Sequence, residues 1–317
     1  MIAAHRGRFA ALAGALACWC GEAAGEEPPA APSPLSVEAS LGYESLSSPV
    51  VRIDPDSALI LVEGTSRLRG TYGRLAGNAF KELPLGGEAM VVATARLDAK
   101  WAPRAPDLDF TIAQVDATLR HPFAGASLGI GPAAGHVRVA GDRFRDGLGL
   151  RADVAMPDGA DGHWVVVADG GRHRHGPGYE ELDARVASVS VHRRIATPFT
   201  GITAVDIEAG VSRTANRYGY QDLSSRGRYA RIAFESKVSG FDVAFALSGQ
   251  GARFDAGLAD DMPARRERFT LVEIGVSREL AKDTTLRADF TWGRNRANLA
   301  IYDNRLRALS VTLLAAY

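Results

Sequence analysis

Leu309-Ser310-Val311-Thr312-Leu313-Leu314-Ala315-Ala316-Tyr317 is a two-residue alternation that runs to the last residue of the chain. Successive side chains of a strand point to opposite faces, so one parity of this segment forms a continuous apolar face. A transmembrane barrel often ends this way, because its last strand pairs with its first and leaves no open edge. The segment therefore predicts a barrel-closure and insertion strand, whose key residues are Leu309, Val311, Leu313 and Tyr317.

Thirteen further segments have the alternation of strands. In residues 88–101, small or apolar residues at odd positions alternate with Thr94, Arg96, Asp98 and Lys100. One such pattern is weak evidence, but many at a spacing of about twenty residues are typical of an outer-membrane barrel. The fourteen predicted strands are 36–46, 57–69, 88–101, 109–121, 123–130, 145–156, 163–169, 182–194, 203–213, 226–238, 241–254, 268–280, 284–295 and 305–317.

The two-faced strands alone leave open a soluble β-sandwich and a transmembrane barrel. A sandwich needs bulky Leu, Ile and Phe side chains in its core, whereas many apolar-parity residues here are Ala, Val and Leu, which suit a lipid-facing surface as well as a packed core. Connection lengths favour the barrel, because its short periplasmic turns alternate with longer extracellular loops. The predicted short turns are His121-Pro122, 157–162, Ser239-Gly240 and 281–283, and the long polar loops are 170–181, 214–225 and 255–267. One predicted link, 71–87, is long where this alternation expects a short turn.

The N-terminal residues 1–25 are typical of a secretory signal peptide. Three positive residues precede an apolar stretch at 9–19, which is too short to span a bilayer as a helix. A Pro/Ala-rich linker at 26–35 follows, and the barrel is predicted at 36–317. Cys18 and Cys20 lie in the signal, so no disulfide or thiolate metal site is predicted in the mature chain. Lys plus Arg equals Asp plus Glu at 37 each, so no nucleic-acid partner is predicted.

Charged residues occupy the polar parity near the middle of several strands and predict the lining of the barrel interior. Two interpretations remain open: a hydrated lumen that conducts solutes, or a plugged barrel whose opposite charges neutralise one another without transport. The aromatics Tyr43, Trp101, Trp292 and Tyr317 fall toward strand ends, where girdles anchor a barrel at the membrane interfaces. The predicted lumen-lining residues are Arg96, Asp98, Asp116, Arg120, Arg151, Asp153, Arg231, Glu235, Arg287 and Asp289.

Several stretches carry a resemblance to one protein family. They are 107–131, 140–144, Arg265-Arg266-Glu267 before a strand, and above all NRANLAIYDNR at 295–305 before the last strand. These stretches resemble the C-terminal barrel of the surface lipoprotein assembly modifiers and related outer-membrane proteins with tetratricopeptide repeats. The resemblance implies a fourteen-stranded barrel that exports or displays a macromolecule such as a lipoprotein. No helical repeat is found here, and the final residue is Tyr rather than the more usual Phe.

Other residue patterns have weaker chemical interpretations. His173 and His175, with His163 nearby, are predicted to lie in a solvated Gly-rich loop rather than to bind a metal. Asp260-Asp261 is predicted to be a solvated acidic loop rather than part of a protease site. Gly129-Ile130-Gly131 lacks a following helix and predicts a turn rather than a phosphate-binding loop. No Ser, His and carboxylate arrangement is set by spacing, so no catalytic residue is predicted.

The sequence thus predicts an all-β fold, a transmembrane antiparallel up-and-down β-barrel of about 14 strands in a Gram-negative-type outer membrane. Its expected function is export or surface display of a macromolecule, and the alternative is a passive, porin-like channel for small solutes. An outer-membrane hydrolase is the third possibility, since one barrel architecture hosts all three functions. Expected partners are outer-membrane lipid, the barrel-assembly machinery, and a lipoprotein or separate periplasmic repeat protein. The chain is not expected to be an enzyme, and no cofactor or metal is predicted.

Overall fold

The structure is a computed structural model that describes residues 34–53, 60–158, 162–196, 201–257 and 262–317. The predicted signal peptide and the linker up to residue 33 lie outside the described residues, as do Asp260 and Asp261. Three short 3₁₀ turns occur, at Pro106–Leu108, Glu180–Leu182 and Ala300–Tyr302. None of the helical segments in the described ranges is long and apolar enough to cross a membrane.

Fourteen strands form a single closed sheet. Each pairs in antiparallel fashion with its neighbours in sequence, which is the up-and-down order that the sequence predicts. The strands are β1 Leu35–Ile53, β2 Ile60–Gly86, β3 Ala89–Trp101, β4 Phe110–Phe123, β5 Ala126–Val139, β6 Asp142–Pro157, β7 Gly162–His175, β8 Ala184–Ala196, β9 Ala204–Asn216, β10 Ser225–Val238, β11 Phe241–Phe254, β12 Arg266–Ala281, β13 Thr284–Ala297 and β14 Asn304–Ala316.

The first and last strands close the barrel. β1 pairs with β14 over twelve residues, from Ser36 opposite Ala316 to Ser47 opposite Arg305. Beyond β14, the Tyr317 N–H donates to the Leu35 carbonyl at 2.8 Å. Closure removes every free sheet edge, and it confirms the predicted all-β barrel and excludes the sandwich.

The two faces of the sheet have opposite character. Large apolar side chains are exposed on the outer face, for example Leu41 at 74% and Leu148 at 69%. Polar side chains are buried on the inner face, including Asp98 and Asp153 at 3% each. A water-soluble protein would bury the apolar set, whereas an apolar exterior suits a surface in contact with lipid. The chain is therefore an outer-membrane β-barrel.

The predicted link at 71–87 is wrong, because β2 continues through it to Gly86. Only Gly87 and Glu88 then separate β2 from β3. The segment contains Gly73, Gly77 and Pro84, which indicate a loop when the sequence is considered alone. Pairing on both sides, with β1 and with β3, overrides these local preferences. The link is a short turn, as the barrel alternation requires.

The predicted boundaries around the fifth strand are also wrong. His121 and Pro122 lie inside β4, and the turn is Ala124-Gly125, with φ of 51° and 82°. β5 extends to Val139 and is followed by a second two-residue turn, Ala140-Gly141. Positive φ at both central residues is the geometry of a tight hairpin. This connection is the exception to the alternation, because it is short at the end of the barrel where the other connections are longer.

The two ends of the barrel therefore differ. The "loop end" carries the connections that follow odd-numbered strands, including all three 3₁₀ turns. The "turn end" carries the connections that follow even-numbered strands, four of them only two residues long. In outer-membrane barrels the longer loops are extracellular and the short turns periplasmic. This orientation places the loop end outside the cell.

Candidate functional site

The inner face of the barrel carries a network of charged side chains. Several of its ion pairs join strands that are not neighbours. For example, Lys100 Nζ on β3 lies 2.8 Å from Glu44 Oε2 on β1, and Arg120 on β4 lies 3.1 Å from Asp153 on β6. The two strands of such a pair are separated by an intervening strand and lie about 10 Å apart. Their side chains can meet because side chains converge on the concave face of the sheet. The alternation of the strands therefore turns these charges inward.

The structure brings several predicted lumen residues into direct contact. Arg287 on β13 donates to Asp289 on the same strand at 2.9 Å and to Glu38 on β1 at 3.1 Å. Arg120 and Asp153, which were also predicted, are in contact as well. Asp116 accepts a hydrogen bond from the Thr94 hydroxyl. Their role as pore-lining residues stays a prediction.

Other predicted residues have partners that the sequence did not indicate. Asp98 binds Arg74 through two hydrogen bonds, at 2.7 and 2.6 Å. Glu235 binds Arg194, at 3.2 and 2.9 Å. Arg74 was missed because it lies in the part of β2 that was predicted as a loop. The parity rule alone would have assigned it to the inner face once β2 had its correct bounds.

The charged side chains of the inner face are only partly buried. Glu235 keeps 43% of its side-chain accessible surface, Arg194 keeps 30% and Arg287 keeps 33%. Because these groups point inward from a closed wall, their exposed surface faces space inside the barrel. Barrels of eight strands are just filled by their side chains, whereas those of sixteen or more strands hold an aqueous channel. Fourteen strands lie between these two sizes.

Two apolar clusters narrow the interior near the loop end. Residues of the connections contribute to both: Tyr179 and Leu182 pack against one cluster, and the other includes Leu108 of the first 3₁₀ turn, which is only 4% exposed. Lys100 lies between the clusters, with its Nζ 5.5 Å from the centre of the Tyr72 ring and 4.9 Å from that of Phe110. One cluster is Phe110, Ile112, Val137, Val139 and Phe144, and the other is Leu46, Ala102, Ala105 and Leu108.

An arginine stack also lies at the loop end, between the connection after β11 and the last 3₁₀ turn. The Arg265 guanidinium carbon is 3.4 Å from the centre of the Phe254 ring and 4.2 Å from that of Tyr302. Arg265 also contacts Glu267 at 3.2 Å. Burial raises the pKa of the Tyr302 hydroxyl, so the ring stays neutral beside these charges. The stacked cation fixes the connection after β11 against the last 3₁₀ turn.

The predicted histidine loop is instead a strand. His163, His173 and His175 all lie within β7, which extends to His175 because its Gly170-Gly171 pair joins the ladders on both sides. Gly129 and Gly131 likewise lie within β5 and not in a turn. In the part of the chain that the structure describes, no group of three or more His, Cys, Asp or Glu side chains is placed to hold a metal ion.

Comparisons with known proteins give distant likenesses. No protein-family model matches the chain, and no curated protein sequence matches it significantly. Among solved structures, OpdQ of Pseudomonas aeruginosa has a TM-score of 0.47 at 8% identity, covering 88% of this chain and 97% of that one. OccK9 (OpdG) of the same species has a TM-score of 0.41 at 9% identity, covering 89% and 98%. The outer membrane protein Omp33 of Acinetobacter baumannii has a TM-score of 0.43 at 10% identity, covering 90% and 98%.

Proposed function

We propose that the protein is a passive channel for small polar solutes in the outer membrane. The observation that carries this proposal is the accessible, charged inner face of a closed fourteen-stranded wall. Charged side chains that keep a third of their surface inside a barrel are in contact with water. A continuous file of water between them provides a path for ions and small hydrophilic molecules.

The size of the solute follows from the loop end. The two apolar clusters and the Arg265 stack occupy interior space at that end, and they narrow the mouth of the barrel. A narrow mouth with a charged interior favours small solutes over a folded macromolecule. Export or surface display of a lipoprotein, which the resemblance to the assembly modifiers implies, is the second candidate and would require these loops to move aside. A hydrolase would need a catalytic arrangement, and the inner-face contacts described here are ion pairs rather than a nucleophile with its base.

Arg231 offers the sharpest test of conduction. It lies on the inner face between Glu208 and Ser248 in the sheet register, and in the described part of the chain its side chain forms no hydrogen bond or ion pair. Its charge interacts with that of Glu273 but is not held in a bonded pair, and such a charge acts on mobile ions more strongly than one in an ion pair. Removing it should therefore change selectivity without breaking a structural pair.

The experiment is single-channel recording in planar bilayers with the folded barrel, under a salt gradient. We expect stable conductance, and a reversal potential that shifts toward cation selectivity in Arg231→Gln. Arg278→Gln is the matched control, because Arg278 lies on the outer face over the Phe241 ring and should leave selectivity unchanged. A folded barrel that is silent in bilayers and impermeable in liposome-swelling assays would contradict the proposal. Loss of one surface lipoprotein on gene deletion, from a barrel that does not conduct, would support export instead.

A further inference from the structure

Arginines are concentrated on the outer face of the barrel at the loop end. They share strand parity with exposed apolar residues lower in the wall: Arg253 with Leu247 on β11, and Arg305 with Leu309 on β14. They therefore point away from the lumen and toward the surroundings of the barrel. The "arginine belt" is defined here as Arg226, Arg253, Arg266, Arg268, Arg294, Arg296 and Arg305 on β10 to β14.

The sheet register places members of the belt directly opposite one another. Arg253 pairs with both Arg226 and Arg266, on its two neighbouring strands. The same holds for Arg268 with Arg296, and for Arg294 with Arg305. Residues directly opposite on antiparallel strands lie on the same face with Cβ atoms about 5 Å apart, and like charges there repel. Four such contacts on five consecutive strands are unfavourable unless anions lie between them.

The protein itself does not supply those anions. Within the described residues, no side chain of the belt forms a hydrogen bond or an ion pair. Asp255 is a carboxylate that acts on the belt electrostatically, through Arg226 and Arg253. Both oxygens of Asp255 are already bound by Arg213, at 2.9 and 2.5 Å. Six of the seven belt arginines are exposed, and Arg294 is half-buried.

The turn end of the same wall lacks this feature. Two outward-facing arginines occur there among the described residues of β7 to β14, and each has an intramolecular contact. Arg193 lies 2.5 Å from Asp158, and Arg278 covers the Phe241 ring. Among the described residues of β7 to β14, the outward-facing arginines that lack an intramolecular contact therefore lie at the loop end.

The belt lies at the level of the lipid headgroups. Trp292 is opposite Arg307 in the register, and the exposed ring of Trp101 belongs to the last residue of β3, at the loop end. Aromatic girdles mark the boundary between hydrocarbon and headgroups. Beyond this boundary the loop end faces the outer leaflet, where arginine forks meet headgroup phosphates at close range.

We propose that the arginine belt binds phosphate groups of the glycolipid that forms the outer leaflet. Phosphomonoesters on a lipid such as lipid A match both the position of the belt and its charge. Each would accept hydrogen bonds from two facing guanidinium groups and remove the repulsion between them. The surface is an interaction site for lipid and is independent of whether the lumen conducts.

The test is native mass spectrometry of the full barrel, released from detergent with lipid A, with dephosphorylated lipid A or with phosphatidylglycerol. The variant carries Arg253→Gln, Arg268→Gln and Arg294→Gln, which interrupts all four opposed pairs. The matched control is Arg278→Gln, an outward-facing arginine on the same strand as Arg268 but at the turn end. Gel migration before and after heating verifies that each protein is folded.

We expect wild type and Arg278→Gln to bind lipid A at least tenfold more tightly than the triple variant does. Dephosphorylated lipid A should bind all three proteins weakly and equally. In detergent without lipid A, the triple variant should melt at the same temperature as wild type or higher, since it has lost repulsion. The proposal is overturned if the triple variant retains wild-type affinity, if removal of the phosphates has no effect, or if phosphatidylglycerol binds as tightly as lipid A.

Discussion

Aromatic rings lie over glycines at several points of the barrel wall. A Cβ added to Gly210 on β9 would lie 2.5 Å from Cε1 of Tyr229 on β10, and one added to Gly42 would meet the Tyr72 ring at 2.5 Å. The missing side chain creates the space that the neighbouring ring fills. For Tyr229 this position also sets the hydroxyl 2.8 Å from Glu208 Oε1, a buried carboxylate of the inner face. Local packing at one glycine therefore orients a polar group in the lumen.

Gly210→Ala should destabilise the barrel by displacing the Tyr229 ring and its hydrogen bond to Glu208. Overpacking of this kind costs about 1–3 kcal/mol. The measurement is the free energy of unfolding in detergent, from urea titrations followed by circular dichroism. Gly249→Ala is the control, because a Cβ at that strand position meets nothing within 4 Å. Equal stability of the two variants would show that the ring does not depend on the glycine.

For a single residue, the sequence predicts which face of the sheet its side chain occupies but not which other side chain it contacts. Parity assigned Asp98, Glu235 and Arg287 to one face, and contacts of all three lie on the concave side. It could not indicate that Asp98 binds Arg74 or that Arg287 reaches Glu38, because such pairs depend on the register between strands. Register is set by the whole closed sheet and has no local signal within one strand.

Among the elements, four connections at the loop end share one construction. The residue after each 3₁₀ turn is an aspartate whose side chain accepts the backbone N–H at the end of the preceding strand. The connection after β9 uses a serine in the same way. These bonds are Ala102 N to Asp109 at 2.5 Å, His175 N to Asp183 at 2.7 Å, Ala297 N to Asp303 at 2.7 Å and Asn216 N to Ser224 at 3.0 Å. Each closes its loop and holds it over the barrel mouth.

Asp303→Ala should release the last loop, since it leaves the Ala297 N–H without its acceptor. A hydrogen bond to a charged group contributes about 1.5–3 kcal/mol. We expect faster hydrogen exchange at the Ala297 amide, while the Ala102 amide, held by Asp109, serves as an internal reference. Asp303→Asn keeps a carbonyl acceptor and should preserve most of the protection. Unchanged exchange in Asp303→Ala would mean that the aspartate does not hold this loop.

Strand prediction succeeded where alternation was uninterrupted and failed where glycine and proline broke it. β11 was placed with both boundaries correct, at Phe241–Phe254. β2 and β5 were shortened because Gly77, Pro84, Gly131 and Pro132 are loop signals when the sequence is considered without its pairing. In a closed barrel each strand is held on two sides, and that pairing outweighs the local preference. The histidines of β7 were misplaced for the same reason.

The surface of the whole barrel has three zones, and the alternation of residue types along the strands determines all three. Apolar residues face outward along the wall, charges face inward near its middle, and arginines face outward at the loop end. Each zone matches a different surrounding: hydrocarbon, water and anionic headgroups. A barrel edge left open would expose unpaired backbone groups to lipid, so all three zones depend on the β1–β14 ladder.

Deletion of Tyr317 should impair assembly of the barrel in the outer membrane while leaving its secretion to the periplasm intact. Deletion removes both backbone hydrogen bonds between Tyr317 and Leu35, in which the Tyr317 N–H donates at 2.8 Å and the Leu35 N–H at 3.4 Å. It also removes an aromatic residue that is 73% exposed. Membrane fractions should then contain less of the form whose gel migration changes on heating. Tyr317→Ala keeps the backbone bonds but not the ring, and Tyr317→Phe keeps both. If assembly decreases from Tyr317→Phe to Tyr317→Ala to the deletion, the first step measures the contribution of the ring and the second that of the backbone hydrogen bonds. Normal assembly of the deletion variant would show that barrel closure does not need Tyr317.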